Sequence, residues 1–341
     1  MLHQAQDTVA FDLNQARYDY TPKSGTEEVA RNFEYDMQRF IEHSSTQRIN
    51  PDPVALCAYL TSAYHSLEKG LAMALPKAGF GARKIRPILA AIHTLEQLQE
   101  ASFATQGARG CLKAYIEYHD VRGLALPAEL ERELRDFVLQ MPKRVYPGGA
   151  IRLTRAQIEA ATAFDYERFV FSRSSVRHFS GESVSQDRLA NIVRQALKSP
   201  RSCNREMRRV HYSTDSDQMQ RLLSFHSGNR GFGHSLGAVL VVTSDLRELD
   251  MIGERNQGWV DGGIFAMALV FAAHANRLGS CMLNWSESCD QDRHLREAFD
   301  IPDNEIIITL LGLGHLPEAF EVAASPSPHV DDVMCQLEEV S

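Results

Sequence analysis

The sequence has no excess of positive charge, no closely paired cysteines and no long apolar run, and each absence removes a class of function. Its 341 residues carry 36 Lys and Arg against 44 Asp and Glu, a formal net charge of −8. Such a chain sets up no field that gathers nucleic-acid phosphates or anionic lipids. The cysteines (Cys57, Cys111, Cys203, Cys281, Cys289 and Cys335) are widely scattered, the pattern of buried thiols rather than of a disulfide framework. There is no CxxC or HExxH, and His274, Cys281 and Cys289 follow no zinc spacing, so no metal is expected. The longest apolar stretches, such as Ala266–Ala273 and Ile306–Leu311, fall well short of the roughly 20 residues that cross a bilayer. Asp7 and Asp12 stand in an opening segment where a secretory signal needs a basic start and then an apolar run. Membrane insertion and export are therefore not expected, and the expected location is cytoplasmic. GxxxxGK[ST] and GxSxG are missing, which leaves phosphotransfer and hydrolysis without support. GFGARK (79–84) lacks a third glycine and a preceding strand, and GLGHLP (312–317) ends in proline where a helix should start, so neither makes a Rossmann fingerprint.

What is present reads as a folded chain of one or two domains, with 44% hydrophobic and 23% charged residues, so neither a disordered nor a fibrous chain fits. Val29, Phe33, Met37, Phe40 and Ile41 recur at helical spacing after Thr26-Glu27-Glu28, and predict a helix to about Ser44. Further helices are expected over Val54–Ala74, Ile85–Gln99, Phe103–His119, Glu129–Leu139 and Arg155–Phe169. Breaks are expected at Pro51–Pro53, Pro76–Gly81, Gly107–Gly110, Pro127 and Pro142–Gly149. The last of these, rich in proline and glycine, places a domain boundary near residue 150: an all-helical domain over 1–150, then a second domain over 151–341. In the second, Val210–Tyr212, Ala238–Thr243 and Glu305–Leu311 read as strands. Gln186–Lys198, Ser216–Phe225, Gly258–Arg277 and Asp290–Phe299 read as helices. The continuous apolar runs at 238–242 and 306–311 are those of central strands covered on both faces, and Gly262–Ala275 is a core helix.

Four clusters in this half have functional composition. The densest is Arg173-Ser174-Ser175-Val176-Arg177-His178-Phe179. Its two forked, permanently charged arginines and its hydroxyls suit a phosphate, although a solvated basic turn has the same composition. The others are Ser199–Arg205, Gly228–His234 and Leu278–Ser286; the first two could be ordinary loops, and in the last a glycine C-cap at Gly279 is the bland explanation. In the first half, His65, Glu68 and Lys69 share a helical face, where an exposed ion-paired surface is the expected meaning.

The order of these clusters resembles that of the FMN-dependent nitroreductase family over about residues 164–332. RSSVRHF (173–179), SPRSCNR (199–205), DGGIFAMALVFAAHANRLGSCMLNW (261–285) and IIITLLGLGHLPE (306–318) carry the resemblance. GNRGFGH (228–234), ERNQ (254–257) and LNW (283–285), with YHSLEKGL (64–71), resemble a subgroup with a helical N-terminal extension associated with surface-polysaccharide genes. The resemblance implies an α+β, nitroreductase-like fold with a helix-flanked central sheet after an all-helical domain. It implies a homodimer holding FMN at the subunit interface, without nucleic acid, and a ping-pong hydride transfer from NAD(P)H through flavin N5 to an unidentified small-molecule acceptor. No side chain would be catalytic in its own right. By resemblance, Arg173, Ser174 and Ser175 hold the FMN phosphate and ribityl chain, and Arg177 faces the pyrimidine end, where a fixed cation stabilises developing charge. Pro200, Ser202 and Asn204 would reach the flavin from the other subunit. Asn229 would lie against the ring, and Met282, Leu283, Asn284 and Trp285 would line the N5 side.

The sequence also departs from the family. Glu206, Met207 and Arg208 replace a usual Gln-Pro-Trp. Ser325–Pro328 offers no base where relatives complete the phosphate site, and Phe232 stands where some have lysine. His178 reads as a structural hydrogen-bonder rather than an acid. The missing base and the altered loop at 206–208 motivate one alternative, a non-catalytic interaction module in a polysaccharide-related pathway, and the resemblance leaves another, a specialised flavin oxidase of the kind some relatives are.

Overall fold

The computed structural model describes residues 24–47, 52–99, 102–142 and 146–339. Asp7, Asp12, Pro51 and the centre of the Pro142–Gly149 break lie outside the described residues. Helix α1 (Thr26–His43) is followed by α2 (Pro53–Leu71), α3 (Ala82–Gln97), α4 (Phe103–Arg122) and α5 (Ala128–Leu139). Asp52 caps α2 by accepting the Ala55 N–H, with Pro53 at the first helical position where no N–H is needed. Ser102 and Thr105 form a reciprocal capping box on α4, which ends at Gly123 with φ +60. Leu60, Tyr64, Leu67, Ile88, Ile92 and Tyr115 are among the buried side chains of one core shared by α2–α5.

Gly107 and Gly110 lie inside α4 and do not break it. Their role is close approach. A Cβ on Gly107 would sit 2.7 Å from the Tyr64 hydroxyl, and one on Gly110 would run into the Tyr146 carbonyl.

Helix α1 packs elsewhere. Its polar face docks: Arg31 pairs with Asp290 at 2.8 Å, Tyr35 donates to Asp292 at 2.7 Å, and Arg39 donates to the Asp303 and Glu305 carbonyls. The apolar stripe Val29, Phe33, Met37 and Ile41 that marks the helix in the sequence faces outward, with only Phe40 packed on a core cluster.

The stretch expected as one helix over 155–169 is two, α6 (Arg155–Ala161) and α7 (Tyr166–Ser172). Thr162 ends the first, and Asp165 starts the second by accepting the Arg168 N–H. There follow α8 (Gln186–Ala196), β1 (Arg208–Ser213), α9 (Ser216–Leu223), β2 (Ala238–Asp245), α10 (Gln257–Ala275), β3 (Leu278–Asn284), α11 (Cys289–Phe299) and β4 (Glu305–His315). The strands form one antiparallel sheet in the order β1-β2-β4-β3, with a bulge at Val242/Thr243. The architecture is α+β with a helix-flanked sheet, preceded by a helical N-terminal region. Helices α8 and α10 close one core against the sheet, and α9 and α11 contribute to a second.

Two expectations are corrected. Gly279 does not cap α10: Asn276 caps it and Arg277 takes the left-handed conformation at φ +60, so Gly279 falls inside β3, a strand the sequence reading passed over. The run Ile252–Ala275 is long and apolar enough to span a bilayer, contrary to the reading that all apolar stretches are too short. Val260, Ile264, Phe265, Leu269, Val270 and Phe271 carry most of that average, while Asp261 and His274 interrupt the run. Half of the run is buried, and α10 packs on β2, β3, β4 and α8, as a core helix does.

Candidate flavin site

After α7 the chain turns extended, and Ser175 forms a parallel bridge with Ser280 on the outer edge of β3, where the Val176 N–H donates to the Ser280 carbonyl at 2.9 Å. Val176 and Phe179 sink into the core, which fixes this segment, and leave Arg177 and His178 at the surface. Gly279 makes the approach possible, because a Cβ there would lie 2.7 Å from Leu316, 3.1 Å from Phe179 and 3.2 Å from Val176. Arg173, Ser174 and Ser175 are half-buried. Among the described residues no carboxylate pairs with either Arg173 or Arg177. Arg177 does make itself felt at Cys281: burial pushes that thiol up from its ordinary value, and the guanidinium opposes the shift. His178, expected as a structural hydrogen-bonder, makes no hydrogen bond among the described residues.

Strand β3 carries the fourth cluster to the same place. Met282 and Asn284 face outward, Leu283 is buried and Trp285 is half-buried. The Trp285 Nε1–H donates to Asp292 Oδ1 at 2.9 Å, while Tyr35 (2.7 Å) and Arg296 Nε (2.6 Å) donate to Asp292 Oδ2. Burial raises the Asp292 pKa, but Arg296 and these hydrogen bonds outweigh it and hold the carboxyl below its ordinary value.

The third cluster joins through His226, whose ring stacks on Trp285 at 6.4 Å between centroids. His226 Nδ1 accepts from the Gly228 N–H at 2.8 Å, and Nε2 lies 2.8 Å from the Asn284 carbonyl, an arrangement that suits the tautomer with the hydrogen on Nε2. Phe232 is buried against Phe179. The Asn229 amide donates to the Leu223 and His226 carbonyls at 2.8 and 2.5 Å, sealing the end of α9. Those bonds hold the very donors that would otherwise address a ring.

The second cluster stands apart from these three. Pro200 is exposed, and the 3-10 turn Ser202–Asn204 passes through left-handed backbone at Cys203 (φ 51) and Asn204 (φ 60). The Ser202 N–H donates to the buried Asp261 of α10 at 2.8 Å, and Asn204 lies beside the Tyr64 phenol of α2. Burial pushes the Tyr64 phenol up to about 12. Arg205, 1% exposed, pairs with Glu254 and Asp250, and Glu206 clamps both Arg208 (2.8 Å) and Arg201 (3.4 Å). None of this cluster's hydrogen bonds or ion pairs reaches Arg173–Arg177. The Glu-Met-Arg departure thus builds an internal clamp, with Met207 fully buried. No sequence signal pointed to Tyr64 or Asp261 as its holders; Asp261 could have been found as the one acidic residue in an apolar helix.

His65 and Glu68 pair at 3.0 Å but are half-buried, and Glu68 also accepts from the Gly149 N–H at 3.4 Å. Lys69 takes no part, so this is a local tie rather than an exposed ion-paired face. Among the described residues no group of three or more His, Cys, Asp and Glu could hold a metal ion.

The Nitroreductase family model matches residues 170–226 and 213–315, less than half of the chain and the part that carries Arg173–Arg177, β3 and the sheet. No curated protein matches. Among solved structures, the chain is similar to an FMN-dependent nitroreductase from Clostridium difficile R20291 (21% identity, 46% of this chain and 91% of that one, TM-score 0.39). It is also similar to nitroreductase A from Vibrio parahaemolyticus (21% identity, 52% and 80%, TM-score 0.44). A third is a Desulfovibrio desulfuricans protein solved in complex with FMN (18% identity, 52% and 99%, TM-score 0.45).

Proposed function

We propose that the chain is an FMN-dependent oxidoreductase that takes reducing equivalents from NAD(P)H, works by a ping-pong scheme and acts in the cytoplasm, with its cofactor against Arg173–Arg177 and the outer face of β3. The observation that carries this reading is a pair of arginines with no carboxylate partner, held beside an edge strand within the segment that matches the family model. A guanidinium without a protein anion is available for a phosphate or a flavin carbonyl. FMN, when bound, supplies the hydride-carrying centre. The chain's own part is to hold the phosphate with Arg173, Ser174 and Ser175, to place the fixed charge of Arg177, and to offer Met282 and Trp285 as an apolar wall. Leu283, buried in the core, would contribute through its backbone. Asn229 fits less well, since its amide donors are already engaged.

In this reading the protein is a homodimer. Trp259, Val260 and Ile264 leave an apolar face of α10 open, and Ile151, Leu153, Phe164 and Phe171 of the segment before β1 are exposed (Ile151 by 85%). Apolar surface of that extent calls for cover. Pro200, Ser202 and Asn204 would then serve the partner's cofactor while Asp261 and Tyr64 hold their turn in shape. The helical part over 1–150 is proposed as a separate domain, its tie to a surface-polysaccharide subgroup being part of the proposal. The exposed tail at 325–328, which supplies no cation, favours the second reading, a non-catalytic module. Purified protein mixed with FMN and desalted decides between them. Retained flavin absorption that bleaches under anaerobic NADPH or NADH supports the oxidoreductase, and a colourless protein supports the module.

A further inference from the structure

A cavity of about 600 Å³ lies away from the arginine cluster, where the starts of α2 and α4 face the segment entering β1 and the turn leaving β2. Val54, Cys57 and Phe103 line it from the helical side, and Arg209, Arg247 and Glu248 from the other. Its size falls within the range of small-molecule sites, and its lining is mostly apolar.

The charged groups of its wall are engaged, with one exception. Arg247 forks onto Asp245 at 2.7–3.2 Å, and Arg209 donates to the Glu206 and Arg208 carbonyls at 2.5 and 3.0 Å. Glu206 accepts from Arg208. Glu248 is 6% exposed, and its backbone carbonyl accepts from Arg205, yet its carboxylate receives no hydrogen bond from any described residue. A buried carboxylate without a donor is costly to keep ionised, which makes a ligand that brings an N–H cation favourable and an anion unfavourable.

We propose that this cavity binds a small organic cation, a primary ammonium on an apolar body, with the Glu248 carboxylate as its counter-ion. The site shares no residue with the flavin site, so it stands or falls separately from the oxidoreductase reading. Burial pushes the Glu248 carboxyl up to about 7. Arg209 and Arg205 favour its ionised form, while Asp245 and Glu206 oppose it. Asp52 and Cys57 are the titratable groups that α2 brings to the same cavity. An ammonium ligand needs the ionised carboxylate, so binding below about pH 7 releases the carboxyl proton and weakens by about tenfold for each further pH unit.

The test is isothermal titration calorimetry of the full chain with phenethylammonium as probe, and with phenethyl alcohol and phenylacetate as neutral and anionic controls. It is run near pH 8 and near pH 6, either side of the Glu248 transition. Saturable binding of the ammonium alone, weaker at the lower pH, is the expected result. Glu248→Gln keeps the shape and removes the charge; it should cost roughly tenfold or more in affinity and abolish the pH dependence. Val54→Trp, which fills the cavity without touching the carboxylate, should block binding as well. Circular dichroism and an unchanged urea unfolding midpoint show that each variant is folded. Absence of saturable ammonium binding, equal binding of the alcohol, or unchanged affinity in Glu248→Gln would overturn the proposal.

Discussion

Two arginine- and serine-rich segments of this chain have nearly the same composition and opposite fates. In Ser199–Arg205 the charge is consumed internally: Arg205 is buried on Glu254 and Asp250, and Glu206 ties down Arg201 and Arg208. In Arg173–Phe179 the backbone and the two apolar side chains, Val176 and Phe179, are anchored, and the two arginines are left without carboxylate partners among the described residues. Composition therefore does not mark a ligand site. In the proposed reading, what marks it is a cation whose backbone is anchored by its neighbours while its charge is not neutralised by them.

The sharpest break in the comparison comes from Arg205→Ala. It strands the Glu254 carboxylate beside an emptied buried position and should cost about 3–5 kcal/mol of stability, read as a lowered urea midpoint whether or not FMN is added. Arg173→Ala should do the reverse. Its unfolding midpoint should not move, while FMN binding weakens by about 1.5–3 kcal/mol, the loss of a charge-assisted phosphate contact. An FMN-independent loss of stability in that variant would show that the residue is structural after all. Gly279→Ala tests the docking rather than the charge. The added methyl meets Leu316, Phe179 and Val176, and should cost about 1–3 kcal/mol while loosening FMN retention.

Smaller effects are expected at Asp292, which links α1 to Trp285. Because the folded carboxyl titrates below its ordinary value, its stabilising contribution is present above the unfolded value of about 3.9 and disappears as the pH falls through the lower folded value. The stability difference between wild type and Asp292→Asn should therefore hold at neutral pH and close only in strong acid; closure already at mildly acidic pH would contradict the assignment. Tyr35→Phe removes one hydrogen bond to the same carboxylate, for about 1 kcal/mol. In a Trp259→Phe background, the emission of Trp285 should report the loosened contact.

The two halves of the chain were unequally legible in the sequence. Helical periodicity located α1–α5 within a few residues, because each has an apolar stripe, but periodicity alone does not say which face docks. The stripe of α1 points outward, while Tyr35 and Arg39 bind the body. Gly107 and Gly110 read as punctuation because close helix approach and a chain break use the same residue. Strand β3 was hidden because Gly279, Ser280 and Cys281 carry little strand propensity; neighbours on β4 and at Ser175 hold it extended. The candidate site was legible as an order of clusters. The use of the Asn229 amide within its own loop, and the hold of Tyr64 and Asp261 on the 202–204 turn, depend on contacts distant in sequence or on loop geometry that no spacing encodes.

Titration of FMN into the wild type and into Arg173→Ala, with the unfolding midpoint of each measured in parallel, decides whether this segment holds the cofactor. Saturable binding by the wild type, at least tenfold weaker binding by the variant, and the same midpoint for both apoproteins are expected. Equal FMN affinity in the two proteins would contradict that expectation and remove the Arg173–Arg177 segment from the cofactor site.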